Sequence, residues 1–488
     1  MPRTITMTQA RPRYMAIADQ LADQIQRGIY RVGDPVPSIR AGRQVFRVSA
    51  GTLLEAYRQL EDRGYIRARP QSGYYVRPLP GSSHAAPRAT TTCSSPKDIE
   101  VSMSVALLRQ MSDRKVLQLG AAVPDAIFQP THALNQRLAR AVRFHEALVH
   151  RYNSPVGLPE LRRQIARLMT QYSRAVSADE LIVTNGCTEA MSLCLRAVTE
   201  PGDVVAIESP AYYGLLITLK GLGLKALPIA TSPVTGMSID ALKQAAKQHR
   251  IKAVVVTPSF SNPTGALMPE QSRRELVAWS ARTRTSVIED DIYGELHFDD
   301  QRPRPLITWS EHGLIQYCCS TSKTISAGFR VGWCMPGKFL PIVEELKAGV
   351  NPSSNFALQH ALADFLESGG VHKHLRRIRR VYRDQIDRFC DSVTRYFPAE
   401  TCLHRPAGGH LLWIELPEAI DTRDVFTAAL TKQISIAPGA LFSPEGHFTN
   451  CMRLNCAVEW KPQVDAAIAT LGQIITGLLD RPARKKGK

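Results

Sequence analysis

At 488 residues, 44% of them hydrophobic, the chain has room for two or three domains and material for a large core. It holds no run of about 18 apolar residues and no apolar stretch of the signal-peptide kind near its start, so no membrane partner is expected and a cytoplasmic location is. The formal net charge of +17 suits nucleic-acid contact, while ten cysteines without a Cys-x-x-Cys pair, Cys318 and Cys319 being adjacent, give no basis for a metal site or a disulfide framework.

Tyr14 to Arg27 carries Ile17, Leu21 and Ile25 four apart, one apolar stripe of a helix. Pro37-Ser38-Ile39-Arg40 reads as a second helix start capped by Ser38. Val48-Ser49 opens a third helix whose buried face is Leu53, Ala56, Tyr57 and Leu60. Gly64 to Arg69, a turn at Pro70-Gln71-Ser72-Gly73, and Tyr74-Tyr75-Val76 predict a hairpin. Three helices and a small hairpin make a winged helix-turn-helix. Residues 1–80 hold 13 arginines, no lysine and 6 acids, so 13 − 6 leaves +7 on a small module, a balance that suits a phosphate backbone.

The organisation predicted is a DNA-binding domain over 1–76, a linker over 77–114 and a larger domain over 115–488. Pro78, Pro80, Gly81, Ser82, Ser83, Pro87, Thr90 to Thr92 and Ser94 to Pro96 mark the linker as loop. A flexible chain of about 30 residues spans about 30 Å, close to the roughly 34 Å of one DNA turn.

Beyond it, strand-like runs alternate with helical ones: Leu181 to Thr184, Val204 to Glu208, Ala226 to Ile229, Ala253 to Thr257, Thr285 to Ile288 and Leu314 to Ser320. Such alternation predicts an α/β domain with a mostly parallel sheet covered by helices. Glu344 to Lys373 and Arg376 to Tyr396 read as long helices, followed by a smaller α+β region with glycine turns at Gly408-Gly409-His410 and Pro438-Gly439.

Candidate chemistry gathers at the ends of these strands, where open α/β sheets place their ligands. Lys323 follows one of them, in Ser320-Thr321-Ser322-Lys323 with Arg330 close behind. A Schiff-base lysine needs a desolvated, rigid setting, with hydroxyls and a cation nearby to hold the phosphate of an aldehyde cofactor. Such a cofactor also needs a carboxylate against its ring nitrogen, and Glu289-Asp290-Asp291-Ile292-Tyr293 follows another strand. Asn185-Gly186-Cys187-Thr188 leads into a helical stretch, Glu189 to Thr199. Gly186 permits close approach there, and the N–H groups of Cys187 and Thr188 would face a phosphate.

The lysine segment resembles that of fold-type I pyridoxal 5'-phosphate (PLP) enzymes, the aspartate-aminotransferase-like superfamily. By that resemblance Lys323 bonds the cofactor, Ser320 and Arg330 contact its phosphate, and Asp290 and Tyr293 are the Asp and Tyr three residues apart. Asp291 is then expected to be a solvated loop carboxylate. Asn262, in Ser261-Asn262-Pro263-Thr264-Gly265, is the donor to the phenolic oxygen, and Tyr212 stacks on the ring while Tyr213 packs. Tyr152 resembles the tyrosine that reaches the neighbouring subunit's phosphate, which implies a homodimer. Arg453, in Met452-Arg453-Leu454-Asn455, resembles the arginine whose planar fork grips a substrate carboxylate. Ala327 stands where many members carry proline.

The first eighty residues resemble the GntR family of bacterial regulators at Gly33 to Arg40, Ala56 to Glu61 and Ser72 to Val76. That likeness implies operator DNA as partner. It puts Arg40 on DNA, Ser49 to Thr52 in the major groove, and the wing at Gln71, Ser72 and Gly73 on the backbone or minor groove. Ala50, Gly51, Thr52 and Leu54 depart from the early arginines of many relatives, which shifts base reading to Thr52, backbone groups or Arg47. The two parts together resemble the MocR subfamily of regulators. Three functions stay open: a PLP-responsive regulator with a small amino compound as ligand, an aminotransferase with a DNA-binding appendage, and a core kept only for dimerisation. The complete set of cofactor residues argues against the third.

Overall fold

The computed structural model describes residues 12–27, 29–30, 34–69, 73–76, 85–90, 95–101 and 115–480. Gln71, Ser72 and much of the 77–114 stretch lie outside the described residues. The chain divides into two units, Met1–His84 and Ala85–Lys488.

In the first unit the helices are Arg13–Gln26, Ile39–Phe46 and Ala50–Asp62. Serine caps start the second and third: Ser38 Oγ accepts from Ala41 N at 3.2 Å and Ser49 Oγ from Thr52 N at 3.1 Å. Arg47, with φ 50°, ends the second helix in the left-handed region and turns the chain toward the third. The strands Ile66–Arg69 and Gly73–Val76 pair antiparallel, Ile66 opposite Val76 and Arg69 opposite Gly73. Leu21, Leu53, Ala56, Tyr57 and Leu60 are fully buried where the first and third helices meet. A Leu53→Ala cavity there would cost about 2–5 kcal/mol.

The second unit is built on an eight-stranded sheet. Its order is Ile182–Thr184, Gly332–Met335, Ile315–Ser320, Ser286–Asp290, Ile251–Val256, Val204–Ser209, Lys225–Ser232 and Gly236–Met237. The central pairings are parallel, whereas Gly332–Met335 and Gly236–Met237 run antiparallel to their neighbours. Every residue of Ser286–Asp290 and Ile315–Ser320 is buried, as in a parallel sheet covered on both faces. A smaller antiparallel sheet orders Cys402–Leu403, Leu411–Glu415, Cys451–Asn455 and Ala437–Pro438.

The helix expected over Glu344 to Lys373 is broken. It consists of Leu340–Val350, Phe356–Glu367 and the start of Gly370–Tyr396. Pro352 forces Asn351 out of helical geometry, to φ −154° and ψ 89°. Asn355 then caps a new helix by accepting from Leu358 N at 3.1 Å, and Gly369, at φ 71°, makes the second break.

Part of the stretch read as a linker lies along the second unit. Thr90 N donates to Thr231 O at 3.0 Å, Thr90 Oγ1 to Ser209 O at 2.6 Å, and Lys97 N to Ala226 O at 2.8 Å. Among the described residues no helix is long and apolar enough to cross a membrane.

Candidate functional site: a cleft at the carboxyl ends of the strands

Strand pairing places the chemistry. Cys318 lies opposite Asp290 in the parallel pair, so the segment after Ser320 and the carboxylate of Asp290 leave the sheet at one edge. Gly332 lies opposite Thr184 in the antiparallel pair, which brings Arg330 against the turn at Gly186. Cys187, Thr188, Met191, Tyr212, Asn262, Asp290, Ile292, Tyr293, Ser320, Ser322, Lys323 and Arg330 line one cleft.

Lys323 sits in the turn after its strand, and its Nζ donates to Ala122 O at 2.5 Å. Burial, with the Arg453 cation adding to it, pushes its pKa down to about 8. Asp290 Oδ1 accepts from Ile292 N at 3.2 Å and from Cys187 Sγ at 3.3 Å. Burial pushes this carboxyl up to about 6. Asn262 Oδ1 accepts from Arg453 Nη1 at 2.8 Å, and Asn262 Nδ2 donates to Tyr293 Oη at 3.5 Å. Burial raises both the Tyr212 and the Tyr293 phenols above their ordinary value.

Gly186, at φ +85°, precedes the helix Cys187–Arg196, and a Cβ there would run into the Arg330 guanidinium. Arg330 Nη2 donates to Asn185 O at 2.9 Å and Nη1 to Ser322 Oγ at 3.4 Å. Among the described residues no carboxylate pairs with Arg330. A cation with hydroxyls beside a helix N-terminus is an anion site.

Arg453 is fully buried on the strand Cys451–Asn455. Its Nη2 donates to Gly120 O, its Cζ lies 5.0 Å from the Phe442 ring centroid, and its Nε is a buried donor without a partner. The donor set fits an aldehyde phosphate: a cation and hydroxyls at one end, an amine with a depressed pKa, and a buried carboxylate. The same fit leaves a guanidinium free for a second anion.

Tyr152 is 88% exposed and does not line the cleft of its own chain. One expectation comes out differently. Asp291 is no solvated loop carboxylate: it is 1% exposed, ion-paired with Arg302, and accepts from Tyr317 Oη at 2.9 Å. It belongs to the packed underside of the site because the strand end is covered on both faces. Tyr213 packs on Phe442, ring centroids 5.9 Å apart.

Sequence reasoning missed Ser322, for which the only signal was a hydroxyl beside the lysine. It also passed over His410, seen only as part of a glycine turn. His410 is fully buried between the rings of Tyr293 and Tyr382, at centroid distances of 5.6 and 5.5 Å. Asn455 Nδ2 donates to Val123 O at 2.9 Å, so its Oδ1 is the acceptor that faces His410 Nδ1 at 2.9 Å. The ring proton is therefore on Nδ1, and burial, helped by the Lys323 charge, holds the imidazole neutral with its pKa down at about 3.

On the first unit, Arg13, Arg40, Arg43, Gln44, Arg47, Ser49 and Thr52 line an open concavity. Among the described residues none of those four arginines has an ion-pair partner. Ser49 Oγ is engaged by Thr52 N and lies 2.8 Å from Thr52 Oγ1, so this hydroxyl is used in the helix cap. Gly73 is exposed at the start of its strand.

Residues 114–471 match the family described as aminotransferase class I and II, and residues 13–76 match the gntR family of bacterial regulatory proteins. The chain is 36% identical to the uncharacterized HTH-type transcriptional regulator YjiR of Escherichia coli (strain K12), over 95% of this chain and 98% of that protein. It is 37% identical to YdcR, another uncharacterized HTH-type transcriptional regulator of that organism, over 95% of this chain and 99% of that one. Among solved structures it resembles LysN, an alpha-aminoadipate aminotransferase from Thermus thermophilus complexed with N-(5'-phosphopyridoxyl)-L-leucine. The TM-score is 0.73 at 27% identity, over 78% of this chain and 96% of that one. The chain thus belongs to the aminotransferase class I and II family and, through its gntR-type N-terminal unit, to the MocR group of regulators, in which a winged helix-turn-helix is fused to a fold-type I aminotransferase domain.

Proposed function

We propose that this transcription regulator holds operator DNA with its N-terminal unit and pyridoxal 5'-phosphate with the larger one, and that a small amino compound entering the same cleft is its effector. The observation that carries this reading is the convergence in one cleft of segments distant in sequence, around residues 186, 212, 262, 290 and 323, each bearing a group that the cofactor needs. When bound, the cofactor supplies an aldehyde that exchanges between amines and a ring that withdraws electrons.

Lys323, its pKa depressed to about 8, keeps a neutral fraction at physiological pH and is the covalent anchor. Arg330, Ser320, Ser322 and the N–H groups of Cys187 and Thr188 hold the phosphate. Asp290 keeps the proton on the ring nitrogen, Asn262 and Tyr293 donate to the phenolic oxygen, and Tyr212 lies against the ring. Arg453 binds the carboxylate of an effector that has one. A homodimer is part of this reading: Tyr152 at 88% exposure is free to reach a neighbouring cleft, and Phe144 and Val142 nearby in sequence are 65% and 49% exposed. On DNA, Arg13, Arg40, Arg43 and Arg47 meet phosphates, Thr52 and the backbone from Ser49 onward face base edges, and the wing at Gln71, Ser72 and Gly73 contacts the DNA backbone or minor groove. The work is done in the cytoplasm.

The test follows operator binding by the full chain while amino compounds are titrated, in wild type and in Lys323→Ala. A coupling of about 1–3 kcal/mol is expected, or 5- to 150-fold in operator affinity. By linkage the DNA must change the effector affinity by the same factor. Operator affinity indifferent to cofactor and amines, together with sustained turnover of amino donors and keto acceptors, would favour instead a transaminase with a DNA-binding appendage.

A further inference from the structure

The helix Gly370–Tyr396 carries more positive charge than the cofactor cleft and the fold make use of. Between Gly370 and Arg383 its charged residues are Lys373, Arg376, Arg377, Arg379, Arg380 and Arg383, with no acid before Asp384. Its inner face is set by burial: Val371, His374, Leu375, Ile378 and Tyr382 are buried, and His374 Nε2 lies 2.6 Å from Thr324 O, the carbonyl next to Lys323. The helix is thereby anchored on the lysine turn. Its outer face leaves Lys373, Arg376, Arg377 and Arg380 exposed along a groove in which no acidic residue takes part.

Two of the inner cations are used by the fold. Arg379 pairs with Glu295 at 2.7 Å and Arg383 donates to Phe298 O. Arg377 also gives one hydrogen bond to Phe128 O, at 2.5 Å. Lys373, Arg376 and Arg380 have no ion pair among the described residues. At 1.5 Å per residue the stripe from Lys373 to Arg380 is about 10 Å long, which faces about three phosphates of one DNA strand at 3.4 Å each. Unpaired like charges so close on one face repel each other, and a row of phosphates removes that repulsion.

We propose that this stripe is a second DNA contact, which holds the phosphate backbone of duplex DNA. It rests on the DNA-binding function proposed above and adds a second surface to it. The contact is to backbone alone, so it adds affinity and salt dependence without sequence preference.

The test uses the full chain and an operator duplex extended by two helical turns on each side. Two variants with equal loss of charge are compared: Lys373→Ala/Arg376→Ala/Arg380→Ala, and a control on other exposed positions, Lys225→Ala/Lys247→Ala/Arg250→Ala. The stripe variant should reduce the slope of log affinity against log salt by about 2 to 3, at roughly 0.9 for each phosphate no longer neutralised. Its ratio of operator to scrambled-sequence affinity should stay that of wild type, which also reports an intact N-terminal unit. The control should keep the wild-type slope. A stripe variant with the wild-type slope, or a control that loses as much, overturns the inference. Wild type that binds no duplex at all overturns the DNA-binding reading itself.

Discussion

Arg453 offers the sharpest test of the cleft. It is a fully buried guanidinium that donates to Asn262 Oδ1 at 2.8 Å and to Gly120 O, with Nε unpartnered and no carboxylate beside it among the described residues. Burial disfavours its charged form, and both of its hydrogen-bond acceptors are neutral, so among the described residues no anion offsets the charge. A ligand carboxylate would complete it. Hydrogen bonds to charged groups contribute about 1.5–3 kcal/mol each, so a two-pronged grip is worth about 3–6 kcal/mol. Part of that is offset by the contacts to Asn262 and Gly120 that are given up. The lower half of the range corresponds to about 10²–10³ in affinity, at 1.4 kcal/mol per tenfold. Arg453→Gln should therefore weaken an α-amino acid by that factor and leave the primary amine lacking its carboxylate unchanged. Both are read as absorbance changes of the cofactor-loaded full chain. The melting midpoint should not fall, because an uncompensated buried charge has been removed. Equal losses for amino acid and amine, or no loss for the amino acid, would refute the reasoning.

Three further outcomes follow from the same geometry. With its pKa lowered to about 8, Lys323 gives up its proton as pH rises through that value. At pH 7.4 about one amine in five is neutral, against about one in a thousand for an ordinary lysine near 10.4. The rate at which cofactor-free protein takes up PLP should level off above pH 8, and a rise continuing to pH 10 contradicts the role given to burial. Gly186→Ala puts a methyl against the Arg330 guanidinium at φ 85° and ψ 173°, a region essentially confined to glycine that costs about 1–3 kcal/mol. PLP affinity should fall by at least about tenfold in a spectral titration, and an unchanged affinity would separate this turn from the phosphate. Arg302, 7% exposed at its side chain, pairs with Asp291 and Glu295 and lies 3.6 Å from the Tyr172 ring centroid. Arg302→Gln leaves the buried Asp291 carboxylate without its cation, while Glu295 keeps Arg379, and should cost about 3–5 kcal/mol. Over about 400 residues at 2.1 cal/mol/K each, that lowers the melting midpoint by about 5 °C in calorimetry.

Lys323, Asp290 and Asn262 were legible because each is a chemically distinctive side chain placed just past an apolar run, and apolar runs in a doubly covered sheet are hard to mistake. The Ser38 cap was legible for a local reason, since a cap needs only its own first turn. What stayed hidden acts through backbone or distant packing. The carbonyls of Ala122 and Gly120 hold Lys323 and Arg453, and a carbonyl has no residue signature. The segment around Thr90 and Lys97 is rich in Ser, Thr and Pro and reads as free loop, yet its backbone is bonded along the strand Lys225–Ser232. Apolar residues recur on both sides of Pro352, so periodicity joined two helices that the proline separates. Asp291 looked like a loop residue because its partner Arg302 is eleven positions away and carries no motif.

Charge explains why these parts belong together. Around the cleft Lys323, Arg330 and Arg453 are cations, and Asp290 is the carboxylate that lines it with them. Glu208, nearby at the end of its strand, adds no charge at neutral pH, because burial raises it to about 8. His410 adds none either, for the opposite shift. Three cations against one anion leave a formal +2 around the cleft, where like charges repel one another. A phosphate of about −1.5 to −2 balances that excess. An amino acid brings no net charge, so it would enter without upsetting that balance; under the reading proposed above its amine would take the position of Lys323 and its carboxylate would meet Arg453. Lys323 would then move on the turn against which His374 anchors the basic helix.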